Sequence, residues 1–235
     1  MFIVLLGAPG SGKGTAGKIL AEDLKLAHIS TGQIFRDHMK NNSDLGKKIH
    51  KYMDNGELVP DEITIEMLVE RLNEPDVENG AILDGFPRNI VQAVKLDDIL
   101  EKINSKVDIA LNIDVPFDEI MKRIVNRRNC VECNEIYNTV FSPSKVEGIC
   151  DKCGGKLYQR EDQKPEIVQN RLDVYNKTAE DIIKHYEKTG VLCTKKAGID
   201  AGKTSYDIAK EIEEMLRIKK WFICRGGHRA RPYKL

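Results

Sequence analysis

A glycine-rich turn near the start of the chain has the spacing of a phosphate-binding loop. Five apolar residues, Phe2 to Leu6, lead into GAPGSGKGT, in which four glycines surround Lys13. Residues without a Cβ let successive backbone N–H groups converge on an anion, and the following helix N-terminus adds positive charge. The G-x-x-x-x-G-K spacing from Gly7 is the Walker A arrangement, whose lysine reaches the outer phosphates of a nucleotide. Gly14 stands where a hydroxyl is usual, and the hydroxyl comes one residue later, at Thr15.

Four of the six cysteines form two C-x-x-C pairs with sixteen residues between them: Cys130 with Cys133, and Cys150 with Cys153. Four thiolates at about 2.3 Å from one ion are the tetrahedral set of a structural zinc site. Because such a set leaves no coordination position open, we expect the zinc to hold a lobe together and not to catalyse. Two disulfides are the alternative, which a reducing compartment disfavours. Redox activity is less favoured still, since the pairs do not open a helix after a strand.

Several arginines fall near the inserted segments described below. Planar, permanently charged guanidinium groups bind phosphates through paired hydrogen bonds, so a group of them around a phosphate loop favours a site for several phosphate groups. Any one of them alone is as readily explained as a solvated surface residue. The six are Arg36, Arg88, Arg123, Arg127, Arg160 and Arg171.

Helical and strand patterns alternate along the chain. Apolar residues at helical spacing predict core-facing stripes, and AILDGF, DIALNIDV and VLC are typical of short buried strands. This alternation predicts an α/β fold with a mostly parallel sheet, helices on both faces, and ligands at the carboxyl ends of the strands. The helical stripes are Ile65, Leu68, Val69 and Leu72, and Leu96, Ile99, Leu100 and Ile103.

Two segments interrupt the alternation. The first, from Ser30 to about Val59, opens with Ser30 and Gln33 at the spacing of a capping box. The second, from about Asn126 to Gln163, carries the four paired cysteines. We interpret both as lobes inserted into one α/β domain.

The composition is that of an ordinary soluble protein of 235 residues, with 41% hydrophobic and 31% charged residues. No stretch approaches the roughly 20 apolar residues of a membrane span, and the first apolar run lacks the basic flank of a signal peptide. We therefore expect a cytoplasmic protein that does not bind membranes.

The zero net charge hides a basic C-terminus: residues 219–235 contain six basic and no acidic residues, which leaves a net charge of −6 on residues 1–218. We predict that this extension is mostly disordered, because Gly226, Gly227 and Pro232 oppose regular structure.

Together these motifs resemble those of adenylate kinases, in the long bacterial form with a zinc-containing lid. The resemblance covers roughly residues 1–218 and rests on GAPGSGKGT, STGQIFR, DGFPRN, RIVNRRNC, KVEGICDKCGGKLYQRED and NRLDVY. It implies a P-loop NTPase-type parallel sheet flanked by helices, with an inserted helical monophosphate-binding lobe and an inserted zinc-binding lid. The implied core comprises residues 1–29, 60–125 and 164–218, the monophosphate lobe 30–59, the lid 126–163, and the basic extension 219–235.

The resemblance also implies a role for each matching residue. For ATP they are Gly10, Ser11, Gly12, Lys13, Gly14, Thr15, Arg127, Ile136, Tyr137 and Lys203. For AMP they are Thr31, Arg36, Glu57, Leu58, Val59, Gly85, Phe86, Pro87, Arg88, Gln92, Arg160 and Arg171. For catalysis they are Lys13, Asp84, Arg88, Arg123, Arg127, Arg160 and Arg171, with Asp84 supporting Mg²⁺ through water because Gly14 has no hydroxyl.

The implied reaction is the reversible, Mg²⁺-dependent transfer of the terminal phosphoryl group of ATP to AMP, giving two ADP. An acceptor phosphate is already an anion, so this reaction needs no general base, and no kinase H-R-D motif occurs in the sequence. We expect a monomer with one structural Zn²⁺ and no nucleic-acid partner. Three departures from the family pattern are Gln33 for aspartate, Asn89 for threonine, and Asn126 for the usual lid-hinge glycine.

Three alternative functions come from other classes. A kinase for another nucleoside monophosphate is the nearest, and Gln92 argues for adenine because an amide pairs with the donor and acceptor edge of that base. A zinc-ribbon protein that binds nucleic acid would use the cysteines and the basic extension. A switch GTPase would need an N-K-x-D motif, which the sequence lacks.

Overall fold

The computed structural model describes residues 1–198, 202 and 204–224. Helices and strands alternate there as the sequence predicts, with 3₁₀ turns at Pro75–Val77 and Glu161–Gln163. The helices are α1 (Lys13–Leu24), α2 (Thr31–Lys40), α3 (Asp44–Asn55), α4 (Asp61–Leu72), α5 (Ile90–Lys102), α6 (Phe117–Val125), α7 (Pro165–Lys188) and α8 (Ser205–Cys224). The strands are β1 (Phe2–Leu6), β2 (Ala27–Ser30), β3 (Ala81–Asp84), β4 (Val107–Asp114), β5 (Arg127–Cys130), β6 (Ile136–Asn138), β7 (Leu157–Tyr158) and β8 (Leu192–Lys196).

Five strands form a parallel sheet in the order β2-β3-β1-β4-β8. β1 lies at its centre because both of its faces are apolar. Ile3 and Leu5 belong to the core that contains α1, α6 and α8, whereas Phe2, Val4 and Leu6 belong to the opposite core with α4 and α5. Successive side chains of a strand point to opposite faces, so this short sequence joins both cores. The glycine-rich loop therefore leaves the carboxyl end of the central strand.

A second, antiparallel sheet is built from the cysteine-containing segment, in the order β6-β5-β7. It begins directly after α6 and is followed by the 3₁₀ turn before α7. The buried amide of Gln163 in that turn donates to Asn129 Oδ1 on β5 at 2.8 Å. The beginning and the end of the segment are thus joined by a hydrogen bond.

α2 and α3 occupy the first predicted insertion and pack on a small core of their own, around Phe35 and Ile49. The two helices cross closely at Gly46, where an added Cβ would lie 2.2 Å from the carbonyl oxygen of His38. The N-cap of α3 is Ser43, whose Oγ accepts a hydrogen bond from the Gly46 N–H at 3.0 Å. Only a residue without a side chain fits this crossing.

Some local predictions were wrong. Ser30 is the N-cap of α2, but its side chain makes no capping bond, because Gln33 turns instead to Arg36 and Asp37. Val69 and Ile103, predicted to lie in the core, are 37% and 52% exposed. Ile103 is the C-cap of α5 and follows the last residue of the helix.

The C-terminal helix extends beyond the predicted end of the core. α8 continues to Cys224, past the boundary that the sequence placed at residue 218. Residues 225–235 lie outside the described part of the chain, so the disorder expected of them stays a prediction. Lys203, expected to contact ATP, also lies outside the described residues. Within the described ranges, none of the helices has the length and apolarity needed to cross a bilayer.

The close crossing of α2 and α3 yields a stability prediction. Gly46→Ala forces the two helices apart, and overpacking of this kind costs about 1–3 kcal/mol. The measurement is the free energy of unfolding from urea denaturation. Lys48→Ala, on an exposed position of the same helix, is the matched control and should change stability by less than about 0.5 kcal/mol. Equal effects of the two substitutions would contradict the steric argument.

Candidate active site

The loop between β1 and α1 turns sharply at the carboxyl edge of the parallel sheet. Gly7, Gly10 and Gly12 have φ angles of +135°, +82° and +99°, which side-chain-bearing residues rarely adopt. A Cβ at Gly10 would also lie 2.5 Å from Cγ1 of Ile124 on α6. Ser11 is fully buried, and its Oγ has no hydrogen-bond partner among the described residues. An orphaned hydroxyl inside a ring of backbone donors fits an anion cradle.

Lys13, the first residue of α1, folds back over this loop. Its Nζ donates to the carbonyl oxygens of Gly7 at 2.7 Å and Ala8 at 2.8 Å. Desolvation lowers the pKa of Lys13 to about 8; the Asp84 carboxylate opposes the shift, and nearby guanidinium groups add to it. A polyanion in the loop would reverse this balance and restore the full charge of the lysine.

Asp84 ends β3 beside the central strand, where it pairs in register with Leu5. Its Oδ2 lies 4.0 Å from Nε2 of His28 on β2, a residue that the sequence analysis did not select. A Cβ at position 14 would lie 3.3 Å from the same oxygen. The glycine that departs from the usual loop pattern therefore keeps the space in front of the carboxylate open.

Two predicted phosphate-binding arginines meet on the other side of the sheet edge. A Cβ at Gly32 would lie 3.2 Å from Nη1 of Arg36 and 3.8 Å from Nη2 of Arg88. Arg88 Nε donates to the Gly85 carbonyl at 2.8 Å, and the Thr31 hydroxyl donates to the same oxygen at 2.9 Å. Burial lowers the pKa of both arginines, whose ordinary value is so high that they remain cations.

Asp162 is the counter-ion of the arginine group, and the sequence analysis missed it. Arg171 Nη1 lies 3.0 Å from Asp162 Oδ2, and Arg160 Nε lies 3.2 Å from Oδ1. Burial alone would raise the pKa of Asp162, but the charges of Arg171, Arg160, Arg127 and Arg36 outweigh it and lower that pKa. The sequence signal was weak because an aspartate beside an arginine in a polar stretch is usually a solvated surface residue.

The remaining two arginines lie at the start of the cysteine segment. Arg123, on α6, is paired with the buried Glu119 one turn earlier. Arg127 opens β5; burial lowers its pKa, and its Nε has no hydrogen-bond partner among the described residues. Because this Nε–H is an unused donor, the guanidinium of Arg127 can bind an anionic ligand through it without breaking a hydrogen bond to the protein.

A single cleft of about 1100 Å³ brings these groups together. All six arginines line it, and the acidic side chains found along it in the described part of the chain are Asp84 and Glu119. Other predicted site residues that line it are Gly10, Gly12, Lys13, Gly14, Thr15, Leu58, Gly85, Pro87, Ile136 and Tyr137. Six of the predicted nucleotide-binding residues in the described part of the chain do not line the cleft. Ser11, Thr31, Val59, Phe86 and Gln92 are buried, and Glu57 is exposed.

The four paired cysteines form one cluster. Their Sγ atoms all lie within 4.8 Å of one another, with separations of 3.4 Å from Cys130 to Cys153 and 3.6 Å from Cys133 to Cys150. Each pair closes with a residue at positive φ, Asn134 at +57° and Gly154 at +76°. The Tyr137 hydroxyl lies 3.5 Å from Cys150 Sγ. This geometry can hold a metal ion.

Comparison with known proteins identifies the family. The family model described as adenylate kinase matches residues 5–191. The chain belongs to the adenylate kinase family. The adenylate kinase of Thermodesulfovibrio yellowstonii is 51% identical over 82% of this chain and 89% of its own length. Those of Methanothrix thermoacetophila and Staphylococcus aureus are 48% and 46% identical over 92% of this chain and 98% and 99% of theirs.

These findings confirm the predicted family, fold class and adenylate kinase function. The departure at Asn126 costs no backbone strain. Its φ is −90°, so the left-handed conformation that a glycine would allow is not used. Asn126 Nδ2 donates to the Lys122 carbonyl at 2.9 Å, and the Asn126 carbonyl accepts from the Thr139 N–H at 2.9 Å.

The lowered pKa of Lys13 predicts proton uptake on polyphosphate binding. When ATP binds, its charge raises the pKa of Lys13 well above 8, so binding should take up roughly half a proton at pH 8 and more at pH 9. Affinity for ATP should accordingly fall as pH rises through 8. Calorimetric titration in buffers of different ionisation enthalpy measures the uptake. Lys13→Arg, which stays protonated, should abolish it, and an uptake that persists in that variant would exclude Lys13 as its source.

Proposed function

We propose that the chain catalyses the reversible transfer of the terminal phosphoryl group of ATP to AMP, giving two ADP. The observation that carries the proposal is the convergence of Lys13, Asp84 and six arginines on one cleft at the carboxyl edge of the parallel sheet. Two nucleotides held with their phosphate groups facing each other would need this density of cationic groups. The acceptor is itself an anion, so positioning and charge stabilisation are sufficient for the chemistry.

The glycine-rich loop and Lys13 would hold the phosphates of ATP. Lys13 would exchange its two carbonyl partners for phosphate oxygens, which gain negative charge as the phosphoryl group departs. Arg36 and Arg88, which meet near Gly32, would hold the AMP phosphate. Arg123, Arg127, Arg160 and Arg171 would stabilise the group in transfer between the two sites.

The site also suits Mg²⁺ bound with ATP. Asp84 and Thr15 both line the cleft, and the missing Cβ at Gly14 leaves space beside the carboxylate for a hydrated ion. When bound, Mg²⁺ neutralises charge on the transferred group. We propose that Asp84 holds it through water.

Each of the two insertions would serve a different substrate. We propose that residues 30–59 bind AMP and that residues 126–163 form a lid over ATP, on a core of residues 1–29, 60–125 and 164–218. Arg127 and Arg160 lie at opposite ends of the second insertion and both reach the cleft, so movement of that segment would carry two charges to the phosphates. Closure would also exclude water that would hydrolyse ATP.

We propose that the cysteine cluster holds one structural Zn²⁺ and stiffens the lid. Since both substrate positions lie within one chain, a monomer is sufficient for activity. Four reduced thiolates are typical of a reducing compartment, which supports a cytoplasmic location.

The activity test uses purified protein with Mg²⁺ and ATP and each nucleoside monophosphate in turn, with diphosphate formation followed. We expect AMP to be the preferred acceptor. Lys13→Ala and Arg88→Ala should each lower kcat by at least about 100-fold, because each charge acts mainly in the transition state. Lys102→Ala, an exposed charge at the end of α5, is the control and should keep full activity. Near-normal turnover in either cleft variant would refute its assignment.

Metal analysis of protein purified without chelator should find one zinc per chain. Changing Cys130 and Cys150 together to serine should release it and lower the melting temperature, because the binding free energy of a structural metal is folding free energy. The rate of phosphoryl transfer at low temperature should change much less. Cys193→Ser, outside the cluster, is the control and should keep the metal. A metal-free wild type with paired disulfides would overturn the zinc proposal.

A further inference from the structure

Asp61 links helices α4 and α5 through its side chain. It is the first residue of α4, and its carboxylate accepts hydrogen bonds from two side chains in the first turn of α5. Gln92 Nε2 donates to Oδ1 at 2.7 Å, and Asn89 Nδ2 donates to Oδ1 at 2.9 Å and to Oδ2 at 3.2 Å. No motif in the sequence selected Asp61, which stands 31 positions before Gln92.

These contacts fix which way the Gln92 amide points. A carboxylate can only accept, so the amide atom facing Asp61 must be the nitrogen. On the other side, the backbone N–H of Arg88 can only donate, and it lies 2.8 Å from the other amide atom, which must therefore be the oxygen. A flipped amide would set oxygen against carboxylate and N–H against N–H. Two hydrogen bonds would become two repulsive contacts.

Asn89 holds Asp61 in place for this task. The Asn89 side chain is the N-cap of α5: its Oδ1 accepts from the Gln92 N–H at 2.9 Å, while its amide nitrogen donates to Asp61. Asn89 thus supplies both the acceptor that caps α5 and the donor that the Asp61 carboxylate uses. Gln92 is 1% exposed, so its orientation is set inside the protein before any ligand arrives.

An amide of fixed orientation reads the edge of a purine. After its two internal bonds, Gln92 keeps one acceptor position on Oε1 and one hydrogen on Nε2. Adenine offers an amine donor at position 6 and an acceptor at N1, whereas hypoxanthine offers an acceptor at position 6 and a donor at N1. Only one of these edges matches a given amide orientation.

We propose that Asp61 is a specificity-determining positioning residue, which selects a 6-aminopurine monophosphate by preventing the Gln92 amide from flipping. The inference rests on the proposed function and on the contact between Gln92 and the AMP base that the family resemblance implies. Gln92 is itself buried, and its Oε1 accepts from the backbone of Arg88, which lines the cleft. Asp61 does not touch the substrate; it acts through Gln92. Removing the carboxylate leaves the Arg88 N–H as the one hydrogen bond that the amide makes within the described residues.

The test compares AMP with IMP, which differ only in the edge that Gln92 would read. With ATP as donor, kcat/KM for each acceptor is measured in the wild type and in Asp61→Ala and Asp61→Asn. We expect the AMP to IMP ratio to fall roughly 10-fold in Asp61→Ala, with the KM for ATP unchanged. Asp61→Asn, nearly the same shape, should give a smaller fall, because its oxygen can still accept from Gln92. It carries the test should the alanine variant not fold.

Glu62→Gln is the matched control. Glu62 lies in the same first turn of α4, is exposed, and carries the same charge relative to the helix N-terminus. Its removal should leave the AMP to IMP ratio unchanged. An equal fall in the ratio in this variant would attribute the effect to helix charge and overturn the role of Asp61.

Other outcomes also decide the matter. If kcat/KM for AMP and IMP fall by the same factor in the Asp61 variants, the carboxylate is only structural and the proposal is wrong. An unchanged ratio in both variants refutes it equally. Failure of the proposed function appears separately, in the wild type alone, as absent turnover of AMP or a preference for another monophosphate.

Discussion

Mutual repulsion of like charges is the constraint that governs this molecule. The six arginines of the site and the ammonium of Lys13 all face one cleft, where desolvation strengthens every repulsion between them. The protein holds them with a few fixed acceptors. Asp162 lies between Arg160 and Arg171, Glu119 is paired with Arg123, and the Gly85 carbonyl accepts from Arg88. Until phosphates bind, the positive charge of the cleft is only partly neutralised.

The parallel sheet makes that concentration of charge possible. The loop after β1, Asp84 at the end of β3, and α2 after β2 all leave the same edge of the sheet. The apolar strands of the sheet bury both faces, so the edge is rigid where the charges gather. Backbone donors of the glycine-rich loop add to this edge without any side chain. Rigid placement is what turns repulsive groups into a binding site.

Features encoded by local spacing could be predicted from the sequence, whereas features that depend on distant pairing could not. The glycine-rich loop and the two cysteine pairs each lie within a few residues, so their types and intervals reveal the chemistry. Asp61 gave no such signal, because Gln92 becomes its neighbour only in the folded chain. Asp162 follows Arg160 closely in sequence and so had the pattern of a solvated surface pair; its contact with Arg171 appears only in the fold. Lys13 can fold back onto Gly7 because the loop adopts positive φ angles. The sequence shows that glycines stand at these positions, but it does not show which φ angles they adopt. Ser30 and Gln33 had the right interval for a cap, but a competing contact with Arg36 prevailed.

The cysteine segment enters and leaves the core at nearly the same point. Gln159 Nε2 donates to the Val125 carbonyl at 2.9 Å, and Gln163 reaches Asn129, so the outgoing chain runs beside the incoming one. A segment joined at neighbouring ends costs the core little loop entropy, whatever its length. In evolutionary terms the cysteine segment is a separate module. It can be shortened, exchanged or rebuilt around a different stabilising element while the parallel sheet and its charged edge stay unchanged. The core and the segment can therefore change independently wherever their residues do not meet, whereas Arg127 and Arg160, which the segment contributes to the cleft, tie the two together.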